Sequence, residues 1–191
     1  MTESRESKQA LRRSLLAARQ ALPKSVWQEK SLRLCQQLQS FSIFTQAKTI
    51  LAYFSARQEP DLSSLFESNQ TWGFPRCVGP DLVWHQWRPA DTPPLQLGPY
   101  KILEPHADAP MIVPESVDLL LIPALACDRR GYRLGYGGGF YDRLLSTPPW
   151  QEKTTIAVMF EFARLETLPV ESWDVPVTAV VTETGLFACR S

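Results

Sequence analysis

The sequence predicts a single-domain α/β fold of three layers, with helices on both faces of a mostly parallel or mixed sheet. Apolar strand segments alternate with amphipathic helical segments along the chain, which is typical of this class. The most apolar segment, residues 117–125, fits a strand buried on both faces of a parallel sheet. With 191 residues and 44% hydrophobic content, the chain is long enough for a full core and short enough for one domain, residues 1–191.

Two helices are predicted at the amino-terminal end. The first covers residues 5–21, and its apolar stripe is predicted to face the core. That stripe is formed by Leu11, Leu15, Ala18 and Leu22, and the charged residues outside it are Lys8, Arg12, Arg13 and Arg19. The second helix begins at a capping box made by Ser25 and Gln28. Its inward residues are Leu32, Cys35 and Leu38.

The strands and the remaining helices follow in alternation. A strand is predicted at residues 48–54, and Pro60 opens a third helix. The apolar residues of that helix are Leu62, Leu65 and Phe66. Short strands are predicted at 71–77 and 82–87, an irregular proline-rich stretch at 89–114, and two later strands at 155–160 and 177–182.

A glycine-rich segment, residues 128–143, directly follows the 117–125 strand. It holds five of the nine glycines of the chain, four arginines and two aspartates. A helix is predicted after it, because the apolar residues Phe140, Tyr141, Leu144 and Leu145 recur at helical spacing. The order strand, glycine loop, helix suits an anion, because glycines leave room beside bare backbone and the first N–H groups of a helix lack internal partners. Arg133 can add a charge-assisted contact to phosphate, and Asp142 can hold a divalent cation.

Two standard nucleotide motifs do not fit this segment. A P-loop needs Lys and then Ser or Thr after its last glycine, whereas Phe140 and Tyr141 follow Gly139. The dinucleotide-binding fingerprint needs glycine or alanine at position 140. A purely structural connection between strand and helix stays an alternative, although the flanking arginines and aspartates favour a phosphate site.

Composition argues against several classes of protein. The formal net charge of zero does not favour a general nucleic-acid binder, and no apolar run approaches the roughly 20 residues of a membrane span. Residues 1–8 lack the apolar core of a signal peptide. The four cysteines suggest neither a zinc site nor a disulfide framework, and the two histidines have no ligand-like spacing. We therefore expect a cytoplasmic protein.

The glycine-rich segment resembles that of the 5-formyltetrahydrofolate cyclo-ligase family. The family segment has an aspartate, a glycine and then Arg-Leu-Gly-x-Gly-x-Gly-Tyr-Tyr-Asp. The matching residues here are Asp128, Gly131, Arg133, Leu134, Gly135, Gly137, Gly139, Tyr141 and Asp142, with Phe140 in place of the first tyrosine. Weaker matches occur at residues 8–12, at 53–59 and at Asp174, so the resemblance spans nearly the whole chain.

The resemblance implies the reaction of that family. This is the ATP- and Mg²⁺-dependent cyclisation of 5-formyltetrahydrofolate to 5,10-methenyltetrahydrofolate, with release of ADP and phosphate, through a phosphorylated formyl (imidate) intermediate. Small molecules are then the only expected partners of a monomer, with neither nucleic acid nor a membrane involved. Two other classes stay open at this point: a different ATP-dependent ligase or kinase, and a non-catalytic folate or nucleotide sensor.

The resemblance also implies a set of site residues. The ATP-binding residues are Lys8, Gln9, Ala10, Leu11, Arg12, Arg133, Leu134, Gly135, Tyr136, Gly137, Gly138, Gly139, Phe140 and Tyr141. The folate-binding residues are Phe54, Glu59, Tyr136, Gly137, Gly138, Gly139 and Phe140. Arg133 and Tyr141 are the catalytic residues, and Asp142 and Asp174 are the Mg²⁺ ligands. The family often has a histidine before this last aspartate and an aspartate four positions after it, where this chain has Trp173 and Thr178.

Overall fold

The fold is described from a computed structural model, which covers residues 2–91 and 93–190. The helices in this part of the chain are α1 (Thr2–Gln20), α2 (Lys24–Ser40), α3 (Ser42–Thr45) and α4 (Phe140–Leu145). The strands are β1 (Thr49–Leu51), β2 (Thr71–Val78), β3 (Asp81–Gln86), β4 (Gln96–Leu97), β5 (Leu103–Glu104), β6 (Leu119–Pro123), β7 (Ala126–Asp128), β8 (Arg133–Leu134), β9 (Thr154–Val158), β10 (Arg164–Leu165), β11 (Ala179–Thr182) and β12 (Gly185–Ala188). No helix in these two ranges is both long and apolar enough to cross a membrane.

Seven strands form the main sheet, in the order β12-β11-β9-β6-β1-β2-β3. The five central strands run parallel, and the edge strands β12 and β3 run antiparallel to their neighbours. The predicted mostly parallel or mixed sheet is therefore confirmed. From β1 the sheet continues through β2 to β3 in one direction, and from β6 it continues through β9 to β11 in the opposite direction. The strand order therefore reverses between β1 and β6, which makes this position the switch point of the sheet. Ligands of open α/β sheets bind at such a switch point, beside the carboxyl ends of the strands.

Helices cover both faces of the sheet, as predicted. Alternate strand residues point to opposite faces, so Ile50 and Leu121 pack under α2 and α3, whereas Leu51 and Leu120 pack on the side of α4. Two apolar residues of α1, Leu11 and Leu15, pack against this second group. The segment that was predicted as a central strand is fully enclosed, because β6 is buried along nearly its whole length.

Several element predictions were wrong in detail. α2 begins at Lys24, one residue before the predicted cap Ser25, and no side chain caps it. Leu32 is 53% exposed, although Cys35 and Leu38 are buried as predicted. The third helix is only a 3-10 turn at Ser63–Leu65, yet its apolar residues are buried because the turn still covers the sheet.

The orientation of α1 also differs from the prediction. Ala18 is exposed, whereas Lys8 and Arg19 are 7% and 3% exposed. The reason is that α1 covers the edge of a polar cavity, where buried cations find hydrogen-bond partners. The elements α3 and β12 were not predicted, and β4 and β5 form a hairpin inside the stretch predicted to be irregular.

Replacing Leu121 by alanine is expected to lower the free energy of unfolding by about 3 kcal/mol, because it leaves a cavity in the centre of the sheet. Leu121 is 1% exposed, whereas Leu97 is 66% exposed and serves as the matched control. The Leu97→Ala change is expected to stay within about 0.5 kcal/mol. Urea unfolding measures the free energy of unfolding of both variants. Equal decreases for the two variants would contradict the placement of Leu121 in the core.

Candidate active site

A cavity of about 420 Å³ opens at the carboxyl ends of β1 and β6. The main parts of the chain that enclose it are α1, the segment after β1, the glycine-rich segment and the β4–β5 hairpin. β2, β3 and Asp174 complete the lining. Tyr53 and Phe54 follow β1, and Pro123 ends β6, so the cavity lies at the switch point of the sheet. The topology therefore brings together segments that are far apart in the sequence.

The glycine-rich segment forms one wall of this cavity and is tied to α1. Arg12 Nε donates a hydrogen bond to the carbonyl oxygen of Gly135, with a distance of 2.9 Å. Gly137 has a φ of +98°, a conformation that residues with a Cβ rarely adopt. A Cβ placed there would lie 3.7 Å from Arg12 Cζ, so the guanidinium already covers this backbone. The exposed main chain of Gly137 faces the cavity together with a fixed positive charge.

Two cation–carboxylate pairs lie in the cavity wall. Lys8 Nζ is 2.5 Å from Asp174 Oδ2, and Arg133 NH2 is 2.8 Å from Asp142 Oδ1. The Lys8 and Arg133 side chains are only 9% and 5% exposed, so these pairs are held in place by their surroundings. Among the described contacts, the second carboxylate oxygen of each aspartate has no protein partner. The wall thus offers two cations and two available carboxylate oxygens.

Glu59 is held by a tight turn after β1. Arg57 and Gln58 at the corner have φ values of +50° and +57°, and the N–H of Glu59 donates to the carbonyl of Ala56 at 3.0 Å. The Glu59 carboxylate accepts hydrogen bonds from the Ala56 N–H at 3.0 Å and from the Tyr136 hydroxyl at 2.9 Å. Residues other than glycine are strained in the left-handed backbone conformation, and such strain is concentrated at functional sites.

Burial of Glu59 has an electrostatic consequence. The residue is 3% exposed, and this burial raises the pKa of its carboxyl group, whereas the nearby positive charge of Arg19 lowers it. Burial also raises the pKa of the Tyr136 hydroxyl, so Tyr136 stays a hydrogen-bond donor to Glu59. This corner of the cavity therefore presents a fixed, buried acceptor.

Arg19 is a residue of this network that the sequence reasoning missed. Its Nε donates to the carbonyl of Arg57 at 3.0 Å, and its NH2 donates to the Tyr136 hydroxyl. It therefore supports both the turn and the hydroxyl that orient Glu59. Its helical spacing from Lys8 and Arg12 places the three cations on one face of α1, and this pattern was the available signal.

Two aromatic side chains line the cavity near these groups. Phe54 is half-buried and stacks on Phe74 with ring centroids 4.2 Å apart, so its ring is fixed at the wall. Tyr141, from the first turn of α4, also lines the cavity. Burial raises the pKa of Tyr141, and its hydroxyl has no hydrogen-bond partner among the described residues. It is therefore a neutral donor that a ligand can use.

The β4–β5 hairpin forms a further wall that was not predicted. Glu104 in β5 is 6% exposed and accepts from Arg76 Nε at 3.3 Å and Gln96 Nε2 at 3.2 Å. Tyr100 at the tip packs edge-on against Phe140, with ring centroids 5.7 Å apart. The hairpin is thus fastened at its base and touches the glycine-rich segment at its tip.

The predicted site residues fall into two groups. Those that line the cavity are Lys8, Arg12, Phe54, Glu59, Arg133, Leu134, Gly135, Tyr136, Gly137, Gly138, Gly139, Phe140, Tyr141, Asp142 and Asp174. Gln9 and Ala10 are exposed on α1, and Leu11 packs against the core. None of these three lines the cavity, and their assignment to ATP stays a prediction.

Comparisons with known proteins cover nearly the whole chain. The model of the 5-formyltetrahydrofolate cyclo-ligase family matches residues 4–183. The 5-formyltetrahydrofolate cyclo-ligase of Escherichia coli (strain K12) is 33% identical over 176 residues, which cover 86% of this chain and 93% of the relative. That of Mycolicibacterium smegmatis is 31% identical over 202 residues, with 98% and 100% covered.

Solved structures agree with these relatives. The structure of Aquifex aeolicus 5,10-methenyltetrahydrofolate synthetase has a TM-score of 0.84 and 30% identity, and covers 96% of this chain and 93% of that one. The 5,10-methenyltetrahydrofolate synthetase of Mycoplasma pneumoniae has the same fold, with a TM-score of 0.73, 20% identity and coverage of 92% and 98%. The matched region includes every segment that encloses the cavity, and the chain belongs to the 5-formyltetrahydrofolate cyclo-ligase family.

Proposed function

We propose that this protein converts 5-formyltetrahydrofolate and ATP, in the presence of Mg²⁺, to 5,10-methenyltetrahydrofolate, ADP and phosphate. The observation that carries the proposal is one cavity that joins a glycine-rich wall with three cations to a buried carboxylate. The cations are Lys8, Arg12 and Arg133, and the carboxylate is that of Glu59. The first part suits a triphosphate, and the second suits the amino-pyrimidine part of a pterin.

In this proposal, the triphosphate of ATP binds along the glycine-rich wall. Phosphate oxygens can approach the backbone of Gly137 closely, and the guanidinium of Arg12 beside it can donate hydrogen bonds to them. Lys8 and Arg133 then neutralise the charge that spreads over the transferred phosphoryl group. Both cations are paired with aspartates in the structure, so they are positioned before a nucleotide arrives.

In this proposal, the folate binds against Glu59 and Phe54. The carboxylate of Glu59 accepts hydrogen bonds from the amino-pyrimidine, and the ring of Phe54 supplies an apolar contact for the pterin. Tyr136 connects the two halves of the site, because it belongs to the glycine-rich segment and donates to Glu59. The two substrates therefore meet where this segment passes the end of β1.

Asp142 and Asp174 are the residues proposed to hold Mg²⁺. Mg²⁺ prefers oxygen ligands and is usually bound by one or two carboxylates together with waters and phosphates. Each aspartate has one carboxylate oxygen without a protein partner in the cavity wall, so the donor set fits this ion. When bound, the ion supplies neutralisation of phosphate charge and alignment of the phosphoryl group. The described residues hold no cluster of three or more potential metal ligands.

The chemistry proposed for this cavity needs no protein nucleophile. The formyl oxygen attacks the γ-phosphorus of ATP, which breaks the bond to ADP and gives a phosphorylated imidate. N10 then attacks the activated formyl carbon, and the leaving phosphate carries away the N10 proton as the ring closes. The protein contributes in-line positioning and fixed charges. Arg133 stabilises the transferred phosphoryl group, and the free hydroxyl of Tyr141 orients the formyl or phosphate oxygen.

We further propose that the protein acts as a cytoplasmic monomer. The four cysteines are free thiols, which suits a reducing compartment.

Absorbance of the methenyl product tests the proposed reaction directly. Purified protein with 5-formyltetrahydrofolate, ATP and Mg²⁺ is expected to form this product together with ADP, and omission of any component is expected to stop it. Release of ADP with a different acceptor would indicate another ligase or kinase. Binding of both substrates without turnover would indicate a sensor and would contradict the proposal.

Replacing Arg12 by alanine is expected to raise the KM for ATP about 10- to 100-fold, because a charge-assisted hydrogen bond to phosphate contributes about 1.5–3 kcal/mol. The KM for 5-formyltetrahydrofolate is expected to change much less. Arg13→Ala is the matched control, because Arg13 lies on the exposed side of the same helix. Similar KM values for ATP in the two variants would contradict the placement of the triphosphate.

A further inference from the structure

A buried arginine at the end of α1 is connected to the carboxylate of Glu59. Arg19 lies in the last turn of this helix and is 3% exposed. Its Nε donates to the carbonyl of Arg57 at 3.0 Å, and its NH2 donates to the hydroxyl of Tyr136. This hydroxyl in turn donates to Glu59 Oε1 at 2.9 Å. One guanidinium therefore holds both the turn that carries Glu59 and the hydroxyl that donates to it, although Arg19 itself does not line the candidate active site.

The position of Arg19 in the helix does not explain why its side chain is buried. A cation in the last turn of a helix interacts favourably with the free carbonyl groups there, but it also does so at the surface. Burial of a charge costs free energy, and Arg19 NH1 is buried without a hydrogen-bond partner in the part of the chain that the structure describes. A buried group that is costly for the fold indicates a role in the neighbouring site.

The main chain of Glu59 is held by bonds that do not involve Arg19. Its carbonyl accepts from Trp27 Nε1 in α2 at 2.8 Å and from the Ser55 hydroxyl at 2.8 Å. Its N–H donates to the carbonyl of Ala56 at 3.0 Å. Loss of the Arg19 side chain is therefore expected to leave the turn in place and to change mainly the direction and the charge of the Glu59 side chain.

Arg19 is also the main positive charge that acts on this carboxylate. Burial raises the pKa of the Glu59 carboxyl group, and the charge of Arg19 opposes this rise. Arg57, which is exposed on the turn itself, has the same effect to a smaller degree. The other titratable groups beside Glu59 are the hydroxyls of Tyr53, Tyr136 and Tyr141. Burial raises the pKa of each of these hydroxyls, so they carry no charge that could replace that of Arg19.

We propose that Arg19 is a positioning residue for the folate: its guanidinium presents the Glu59 carboxylate to the amino-pyrimidine as a fixed anion. Glu59 Oε1 accepts from Tyr136 and Oε2 accepts from the Ala56 N–H, so each oxygen has a further lone pair for a ligand. The inference rests on the function proposed above, because it takes Glu59 as the residue that binds the pterin. Arg19 touches neither substrate in this arrangement and acts through Glu59.

Replacing Arg19 by methionine is expected to raise the KM for 5-formyltetrahydrofolate about 10-fold, which is the lower range for a hydrogen bond to a charged group. Methionine removes the charge and the donor to Tyr136 but still fills much of the buried space. The KM for ATP and the kcat at saturating substrates are expected to change by about twofold or less, because the triphosphate is placed away from Arg19. Arg13→Met is the matched control, since Arg13 lies on the same helix but is exposed.

A double-mutant cycle separates positioning from a general structural effect. Glu59→Gln removes the charge through which Arg19 is proposed to act. The variant with both substitutions is therefore expected to have a KM for folate about 100-fold above that of the wild-type protein, the same as Glu59→Gln alone. Independent effects would multiply to about 1000-fold, and this result would overturn the proposal.

The pH dependence gives a second measurement that a purely structural role would not change. Without the charge of Arg19, the pKa of the Glu59 carboxyl group lies higher, so a larger fraction of it is protonated at a given pH. The KM of Arg19→Met for folate is therefore expected to fall toward that of the wild-type protein as the pH rises. In the Glu59→Gln background, Arg19→Met is expected to have no such pH-dependent effect. A constant ratio of the KM values of Arg19→Met and wild-type protein across the pH range would contradict the role of Arg19.

Thermal unfolding shows whether the variants are folded. If Arg19→Met does not fold, Arg19→Gln takes its place in all three measurements, because glutamine keeps a donor group without the charge. If Glu59→Gln leaves the KM for folate unchanged, the placement of the folate in the proposed function is wrong, and the role of Arg19 falls with it. If Glu59→Gln raises this KM while Arg19→Met behaves like Arg13→Met, only the role of Arg19 is refuted.

Discussion

Replacing Glu59 by glutamine is expected to raise the KM for 5-formyltetrahydrofolate about 100-fold, since hydrogen bonds to a charged group contribute about 1.5–3 kcal/mol each. Glutamine has nearly the same shape and keeps an oxygen for the Ala56 N–H. It lacks the negative charge and the second acceptor oxygen that the amino-pyrimidine needs. The KM for ATP is expected to change by about twofold or less, because the triphosphate is placed away from this corner. Steady-state kinetics with each substrate varied in turn measures both values.

Glu67→Gln is the control for this prediction, because Glu67 is exposed. It is expected to behave like the wild-type protein. Tyr136→Phe removes one donor to Glu59 and retains the carboxylate, so a smaller rise in the KM for folate is expected. If Glu59→Gln changes only the KM for ATP, the folate is bound elsewhere and the proposed arrangement of the two substrates is wrong.

Replacing Asp142 by asparagine is expected to lower kcat about 1000-fold and to raise the Mg²⁺ concentration needed for half-maximal rate, because a bound metal ion supplies several kcal/mol of charge stabilisation. Asparagine keeps an oxygen that can accept from Arg133 NH2 and from the Val175 N–H, as Asp142 Oδ1 does in the structure. The fold is therefore expected to be retained, and thermal unfolding checks this.

A surface aspartate distinguishes metal binding from a general effect of lost charge. The Asp108 side chain is 86% exposed, and Asp108→Asn is expected to leave the Mg²⁺ dependence of the rate unchanged. Asp174→Asn is expected to resemble Asp142→Asn, although loss of the charge beside Lys8 also changes that cation. An unchanged Mg²⁺ dependence of Asp142→Asn would remove Asp142 from the proposed metal site.

The prediction of which residues of α1 face inward was partly wrong, and the reason lies in the use of an amphipathic pattern. The pattern assumes that the inward face of a helix is apolar. This helix instead spans a boundary, since Leu11 and Leu15 pack against the core while Lys8, Arg12 and Arg19 point toward the polar cavity and its supporting network. A buried cation is stable there because partners on other segments accept its hydrogen bonds, and those partners are not adjacent in the sequence.

The β4–β5 hairpin was missed for a different reason. Its strands have only two residues each, too few to show an alternating pattern. It is fixed by contacts with distant residues, such as Arg76 with Glu104 and Phe140 with Tyr100.

The sequence by itself determined the α/β class, the buried strand before the glycine-rich segment and the helix after it, because these depend on local periodicity and on the conformational freedom of glycine. It also determined the family, through residues in one short segment. Only the tertiary structure decided that α1, the turn at Glu59 and the β4–β5 hairpin enclose this segment. The parallel order of the strands, rather than distance along the chain, sets which side chains share a cavity, and that order is fixed by packing between residues far apart in the sequence.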